Sequence, residues 1–193
     1  LELMNKINVL ITDKTGTLTE GKPSVEKMYS LEGESDNLLQ QIASLNQYSE
    51  HPLAQSIVKY AAKNKVELLK ATDFEAVAGK GITGVVNHKN IAIGNDKLLE
   101  QLNISVPNVL KNEVLIEQKL GKTVSFIAID KIALGFVSIS DAIKTSSKEA
   151  IKKLMASGVE VIMLTGDNED TAKAVADELH LTSFKASCLP EDK

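Results

Sequence analysis

Asp13 closes the apolar run Ile7-Asn8-Val9-Leu10-Ile11 and opens the polar stretch Lys14-Thr15-Gly16-Thr17-Leu18-Thr19. A carboxylate at the mouth of a buried strand, followed by a glycine and three hydroxyl side chains, has what a phosphoryl-accepting site needs. With an ordinary pKa of about 3.9 it is ionised at neutral pH and is a competent nucleophile. Its obstacle is repulsion. Two unit charges about 4 Å apart repel by about 4 kcal/mol at an effective dielectric of 20, so a metal ion and a lysine must cancel the charge of an incoming phosphate. Backbone amides and hydroxyls then hold the transferred group. An isolated Asp-x-Thr also serves simply as a strand-end turn, and that reading stands beside the chemical one.

A second polar loop of this kind follows the apolar run 159–164: Thr165-Gly166-Asp167. Helical patterns flank it. Ala150, Ile151, Leu154 and Met155 recur on one face before Gly158, and Ala172, Val175, Ala176 and Leu179 do so after it. Helix, buried strand, polar loop and helix predict a parallel sheet covered on both faces. Loops of such sheets gather at the carboxyl ends of the strands, so the Asp13 and Thr165 loops are expected to meet in space.

The middle of the chain is built differently. A strand is expected from Ser24 to Leu31, then helices through Leu38–Leu45 and Leu53–Ala61. Short alternating runs follow from Thr72 to Gly94, a helix-rich stretch from Asp96 to Leu120, and a hairpin turning at Asp130-Lys131. The fold class is therefore α/β: a Rossmann-like parallel-sheet domain split in sequence (1–22 and 136–193), with an inserted α+β domain (23–135) containing an antiparallel sheet. Within the insert, Gly79-Lys80-Gly81-Ile82-Thr83-Gly84 matches Gly-x-Gly-x-x-Gly. A dinucleotide site requires a helix directly after it, whereas Val85-Val86 continues as strand, so a glycine loop approached by a mononucleotide remains.

Composition excludes several classes. Of 193 residues, 43% are apolar and 25% charged, which is an ordinary globular balance and not that of a disordered tail. No apolar run is long enough to cross a membrane, and no secretory signal is visible at the N-terminus. A net charge of −4 and 4% aromatics give no reason to expect nucleic acid. Cys188 and the scattered His51, His88 and His180 do not make a site for a soft metal.

Asp13-Lys14-Thr15-Gly16-Thr17-Leu18-Thr19 resembles the phosphorylation motif of P-type ATPases, members of the haloacid-dehalogenase-like superfamily. The resemblance implies that Asp13 accepts the γ-phosphate of ATP beside Lys14, that Asp13 and the Thr15 carbonyl bind Mg²⁺, and that Thr17 contacts the phosphate. Related phosphatases carry an aspartate two residues after the nucleophile as general acid/base. Thr15 cannot shuttle a proton, so an aspartyl phosphate should persist. Thr165-Gly166-Asp167 resembles the superfamily's second phosphate-holding element, with the Thr165 hydroxyl and Gly166 amide as donors and Asp167 beside them. Leu189-Pro190-Glu191-Asp192-Lys193 resembles the segment bearing a phosphate-binding lysine, which is Lys193. Asp141 lies where the family's hinge aspartate sits, followed here by Ala142 where proline is more usual.

Glu50-His51-Pro52 resembles the His-Pro signature of heavy-metal P-type ATPases, and Ser49-Glu50-His51-Pro52-Leu53 is most like the copper branch. There the histidine helps orient ATP. Gly79, Gly81 and Ile82 match that family's glycine loop, and Asn95 in Ile93-Gly94-Asn95 would touch the nucleotide. Asn46 stands where a glutamate usually contacts adenine, so a hydrogen bond is kept without a charge. The resemblance as a whole implies a phosphorylation domain (1–22 and 136–193, C-terminally incomplete) and a nucleotide-binding domain (23–135). Together they form the cytoplasmic, soluble part of a membrane-embedded copper-type transporter, with ATP or ADP as ligands and its transmembrane and actuator domains as partners. A Gly-Asp-Gly-x-Asn-Asp loop, whose first aspartate completes the Mg²⁺ site in that family, is not in the sequence; weak or absent phosphoryl transfer is expected of the chain alone. Two other readings stay open: a stand-alone phosphatase with the insert as a cap, against which Thr15 argues, and a non-catalytic nucleotide-binding module.

Overall fold

The computed structural model describes residues 7–33 and 35–188. In chain order its elements begin with β1 (Val9–Asp13), β2 (Ser24–Ser30), α1 (Ser35–Asn46), α2 (Pro52–Lys63), β3 (Ala71–Val77) and β4 (Gly81–Val86). They continue with β5 (Lys89–Gly94), α3 (Asp96–Gln101), α4 (Asn108–Lys119), β6 (Thr123–Ile129) and β7 (Ile132–Ser140). The last are α5 (Thr145–Ala156), β8 (Glu160–Leu164), α6 (Glu169–Glu178) and β9 (Ser183–Lys185). Two compact units result: Pro23–Glu117 with Lys122–Ser140, and the rest of the described chain. The return from the insert thus falls after Ser140, later than the 135/136 boundary read from the sequence. β7 runs unbroken to Ser140, pairing with β2 over 135–140 and with β6 over 132–139.

In the split unit β1, β8 and β9 form a parallel sheet in the order β1-β8-β9. Leu10, Val161 and Met163 face a core completed by Ile151 of α5 and Ala172, Val175 and Ala176 of α6. Both helices therefore cover one face among the described residues, not both faces as the pattern predicted. Successive right-handed crossovers stepping in one direction across a sheet lay their helices on the same side. Val9 (46% exposed) and Ile11 (61%) alternate onto the other face.

The inserted unit is a six-stranded antiparallel sheet in the order β2-β7-β6-β5-β4-β3. Period-two alternation divides its side chains between two cores. Ile91, Ile93, Ile127 and Ile129 pack with Ile42 and Leu45 of α1 and Ile57 of α2. Their neighbours Ala92, Phe126 and Ala128 pack with Leu98 of α3 and Leu110 and Val114 of α4. Each buried Ile or Leu among these contributes about 1.5–3 kcal/mol. The expected glycine loop is shorter than 79–84, because Gly81 opens β4 opposite Gly94 of β5. Only Ala78, Gly79 and Lys80 form the turn.

Candidate functional site

The Asp13 loop is a turn dictated by one glycine. Thr15 (φ −75°, ψ 123°) and Gly16 (φ 76°, ψ −17°) take the central positions of a type II turn, whose second position needs positive φ. The turn carries the chain past the half-buried Asp13 and leaves Thr15, Gly16 and Thr17 exposed. Leu18 anchors its far end in the core. Thr19, 1% exposed, accepts from the Gly16 N–H (3.0 Å) and donates to Asp141 Oδ2 (2.6 Å), while Asp141 Oδ1 accepts from the Lys22 N–H (3.0 Å). Asp141 thus ties the Asp13 loop to the exit toward β2, a contact that its position in the sequence did not disclose.

Register brings the second loop alongside. Asp13 lies opposite Leu164 in the parallel β1–β8 pair, so Thr165-Gly166-Asp167 emerges next to it, as expected. Lys14 is 6% exposed, and its ammonium pairs with Asp167 Oδ2. The same carboxylate accepts from Thr165 Oγ1 (2.8 Å), which accepts in turn from the Asp167 N–H (3.1 Å). The Thr165 hydroxyl proton is therefore directed to Asp167 and must rotate to reach a phosphate. Gly166 is exposed, and no group among the described residues accepts from its N–H. Asn168 then caps α6 by accepting from the Thr171 N–H (2.9 Å), setting a helix N-terminus directly after the loop.

The residues expected to bind nucleotide all lie in the inserted unit, in two groups. Asn95 joins the glycine turn directly: its Nδ2 donates to the Gly79 carbonyl (2.9 Å), its N–H to the Lys80 carbonyl (2.8 Å), and its Oδ1 caps α3 at the Leu98 N–H (3.1 Å). Gly79 has φ 67°, and a side chain on Gly81 would strike the Ile93 carbonyl and Gly94. Ile82 is 8% exposed and belongs to the core, so only its backbone can face a ligand. The other group surrounds the start of α2, where exposed Glu50 precedes His51. His51 Nδ1 accepts from the Leu53 N–H (3.2 Å), with Pro52 in the first turn. Desolvation of the imidazole pushes its pKa below 6.5. Asn46 is 4% exposed and donates to the Ile42 carbonyl (2.8 Å). Among the described residues no hydrogen bond joins Glu50 or His51 to the turn at 79–81. Hollows of about 200 and 320 Å³ on this unit contain none of these residues.

The haloacid dehalogenase-like hydrolase model matches residues 7–192. The chain belongs to that family. A copper-exporting P-type ATPase of Staphylococcus aureus (strain bovine RF122 / ET3-1) is 38% identical over 193 residues, all of this chain and 24% of the relative. The catalytic domain of the CPx-ATPase CopB-B superposes with TM-score 0.74 at 28% identity, covering 99% of this chain and 65% of that one. A zinc-transporting PIB-type ATPase in its E2.Pi state gives TM-score 0.63 at 34% identity, over 99% of this chain and 31% of the other. The chain thus spans about a quarter of the length of the curated relatives it matches, and it is homologous to copper-exporting P-type ATPases.

For a member of the haloacid dehalogenase-like family, the cation donors of the Asp13 loop fit the protein's share of a Mg²⁺ site. The Asp13 carboxylate and the carbonyl of exposed Thr15 are hard oxygen donors. Mg²⁺ is commonly held by one or two carboxylates with water and substrate phosphate completing the shell. No group of three or more His, Cys, Asp and Glu side chains able to hold a metal occurs among the described residues. Lys193 lies outside the described residues. No helix among those described is long and apolar enough to cross a membrane.

Proposed function

We propose that this chain is the ATP-binding and phosphoryl-accepting portion of a copper-type heavy-metal transporting ATPase. The observation that carries the reading is the register that sets Asp13 at the carboxyl end of β1 opposite Leu164, with the Thr165–Asp167 loop beside it. Asp13 attacks the γ-phosphorus of ATP, its Oδ–P bond forms as the bond to the bridging oxygen breaks, and ADP leaves with that oxygen. Asp13 and the Thr15 carbonyl would hold Mg²⁺, which would supply charge neutralisation at the phosphate. Gly166 N–H and Thr17 hold the transferred group, joined by Thr165 once its hydroxyl turns from Asp167. Thr15 offers no carboxyl to activate water, which favours a lasting acyl phosphate over hydrolysis.

The nucleotide is held by the inserted unit, with the His51 cap and Glu50 on one side and the Gly79–Gly81 backbone positioned by Asn95 on the other. In the longer protein the acyl phosphate drives export of a metal ion through transmembrane and actuator domains. Full-length protein given γ-labelled ATP should acquire acid-stable, hydroxylamine-labile label that Asp13→Asn abolishes. Absence of label, with hydrolysis of small phosphate esters instead, would replace the pump reading by a phosphatase.

A further inference from the structure

The Asp13 loop is gripped by a cation that lies far outside its motif. Lys144 precedes α5 and is half-buried. Its Nζ donates to the Gly16 carbonyl (2.8 Å) and the Thr17 carbonyl (3.1 Å). Its backbone is pinned to the same loop: the Lys144 N–H donates to the Leu18 carbonyl (3.0 Å), the Glu20 N–H donates to the Ala142 carbonyl (2.8 Å), and Thr19 and Ile143 form an antiparallel bridge. Asp141, three residues earlier, holds Thr19 and Lys22. The loop and the segment 141–144 are thus clasped by main chain and side chain together.

Two consequences follow from elementary chemistry. A trans peptide sets C=O and N–H on opposite sides of its plane, so holding the Gly16 carbonyl toward Lys144 turns the Thr17 N–H away from it. A cation on that carbonyl also polarises the peptide and strengthens the N–H as a donor. The second consequence concerns charge. Lys14, Lys27, Lys122, Lys148 and Lys173 each pair with a carboxylate. Lys144 forms no ion pair among the described residues and spends its donors on neutral carbonyls. Lys14 is the cation next to Asp13 in sequence, but Asp167 neutralises it. Lys144 therefore adds positive charge at the Gly16 and Thr17 carbonyls of the loop, which an approaching phosphate feels.

We propose that Lys144 is a positioning residue for phosphoryl transfer: it fixes the Gly16–Thr17 peptide and brings a positive charge to the loop that receives the phosphate. The inference rests on the reading of Asp13 as the phosphoryl acceptor.

The test compares wild type, Lys144→Met and Lys144→Arg in the full-length protein, by the rate of acyl-phosphate formation from γ-labelled ATP. Lys144→Met should slow labelling by about 10- to 100-fold, the scale of a loop displaced by up to about 1 Å with its nucleophile intact. The KM for ATP should stay within about twofold, because ground-state nucleotide binding is untouched. Lys144→Arg, which retains charge and donors, should restore most of the rate. A purely structural residue would lower the melting temperature without this split or this rescue. If Lys144→Met loses its melting transition, Lys144→Gln supplies the same comparison. Labelling of the uncharged variant at the wild-type rate, or failure of arginine to rescue, overturns the inference alone. A wild type that takes no label overturns the acceptor reading itself, a distinct outcome.

Discussion

The ammonium of Lys14 meets the carboxylate of Asp167 with both side chains more than nine-tenths buried, at 7% and 9% exposure. The pair joins the loop after β1 to the loop after β8, which adjacent parallel strands alone bring near. Such a pair is costly to break, because the survivor is a buried charge without compensation. Asp167→Ala and Lys14→Met should each lower the unfolding free energy by about 3–5 kcal/mol, whereas Lys14→Met with Asp167→Leu should cost less than the sum of the two single changes. Urea unfolding of the four proteins measures this. Strictly additive losses would show that the two residues do not act as a unit.

A different constraint governs the turn between β3 and β4. Gly81 lies opposite Gly94, and a methyl group on Gly81 would sit 2.6 Å from the Gly94 Cα as well as against the Ile93 carbonyl. Its φ of 149° is also poorly open to a side chain. Backbone atoms cannot move aside as a side-chain tip can, so Gly81→Ala should destabilise the inserted unit by about 3 kcal/mol. It should also disturb the Asn95 contacts at Gly79 and Lys80. Thermal unfolding with amide spectra of residues 78–95 tests both, and an unshifted melting temperature would refute the close-approach argument.

The parallel strands were legible because an apolar run ending in a polar loop is a local pattern, seen once at Asp13 and again at Thr165, although the structure leaves Val9 and Ile11 of the first run exposed. Their adjacency followed from a general rule of α/β sheets, and the Asp13–Leu164 register agrees with it. The strand β9 was not legible: three residues, Ser183–Lys185, are too few to show a period. That α5 and α6 lie on the same face was missed for another reason, since strand order, not helix pattern, decides which face a crossover takes. The roles of Lys144 and Thr19 depend on contacts more than a hundred residues apart, and no spacing encodes those. Asn46 and Ile82 show the converse: motif position marked them as ligand contacts, and burial turns both side chains inward.

Glu117 supplies an acid-sensitive joint in the inserted unit. Burial works to raise its pKa, but Lys122 (2.8 Å), the Ser138 hydroxyl (3.1 Å) and Lys27 (3.4 Å) outweigh it and hold the carboxyl below its ordinary 4.5. A depressed carboxylate contributes stability that is present above its unfolded pKa and is lost as pH falls through the folded one. The unit should therefore weaken progressively below about pH 4.5, and Glu117→Gln should flatten that slope while costing about 1.5–3 kcal/mol at neutral pH. Urea midpoints between acid and neutral pH give the comparison; identical slopes in the two proteins would remove Glu117 from the acid response.

His51 faces the opposite way in charge. Its Nδ1 accepts from the Leu53 N–H, so the cap requires the neutral ring, with the remaining proton on Nε2. Protonation would place a second donor, and a positive charge, at the positive end of α2. That agrees with a pKa pushed below 6.5 by desolvation. The cap's contribution is complete above the unfolded value and is lost as pH falls through the lower folded value. Nucleotide affinity of the inserted unit should fall over the same window if His51 orients the ligand. His51→Asn keeps a competent cap without a titrating group, so helix stability should survive acid while affinity becomes weaker and loses its His-linked pH dependence. Calorimetric titration with ADP on both sides of that window, for wild type and variant, separates the two effects. Equal affinity of the two proteins at every pH would leave His51 a helix cap and nothing more.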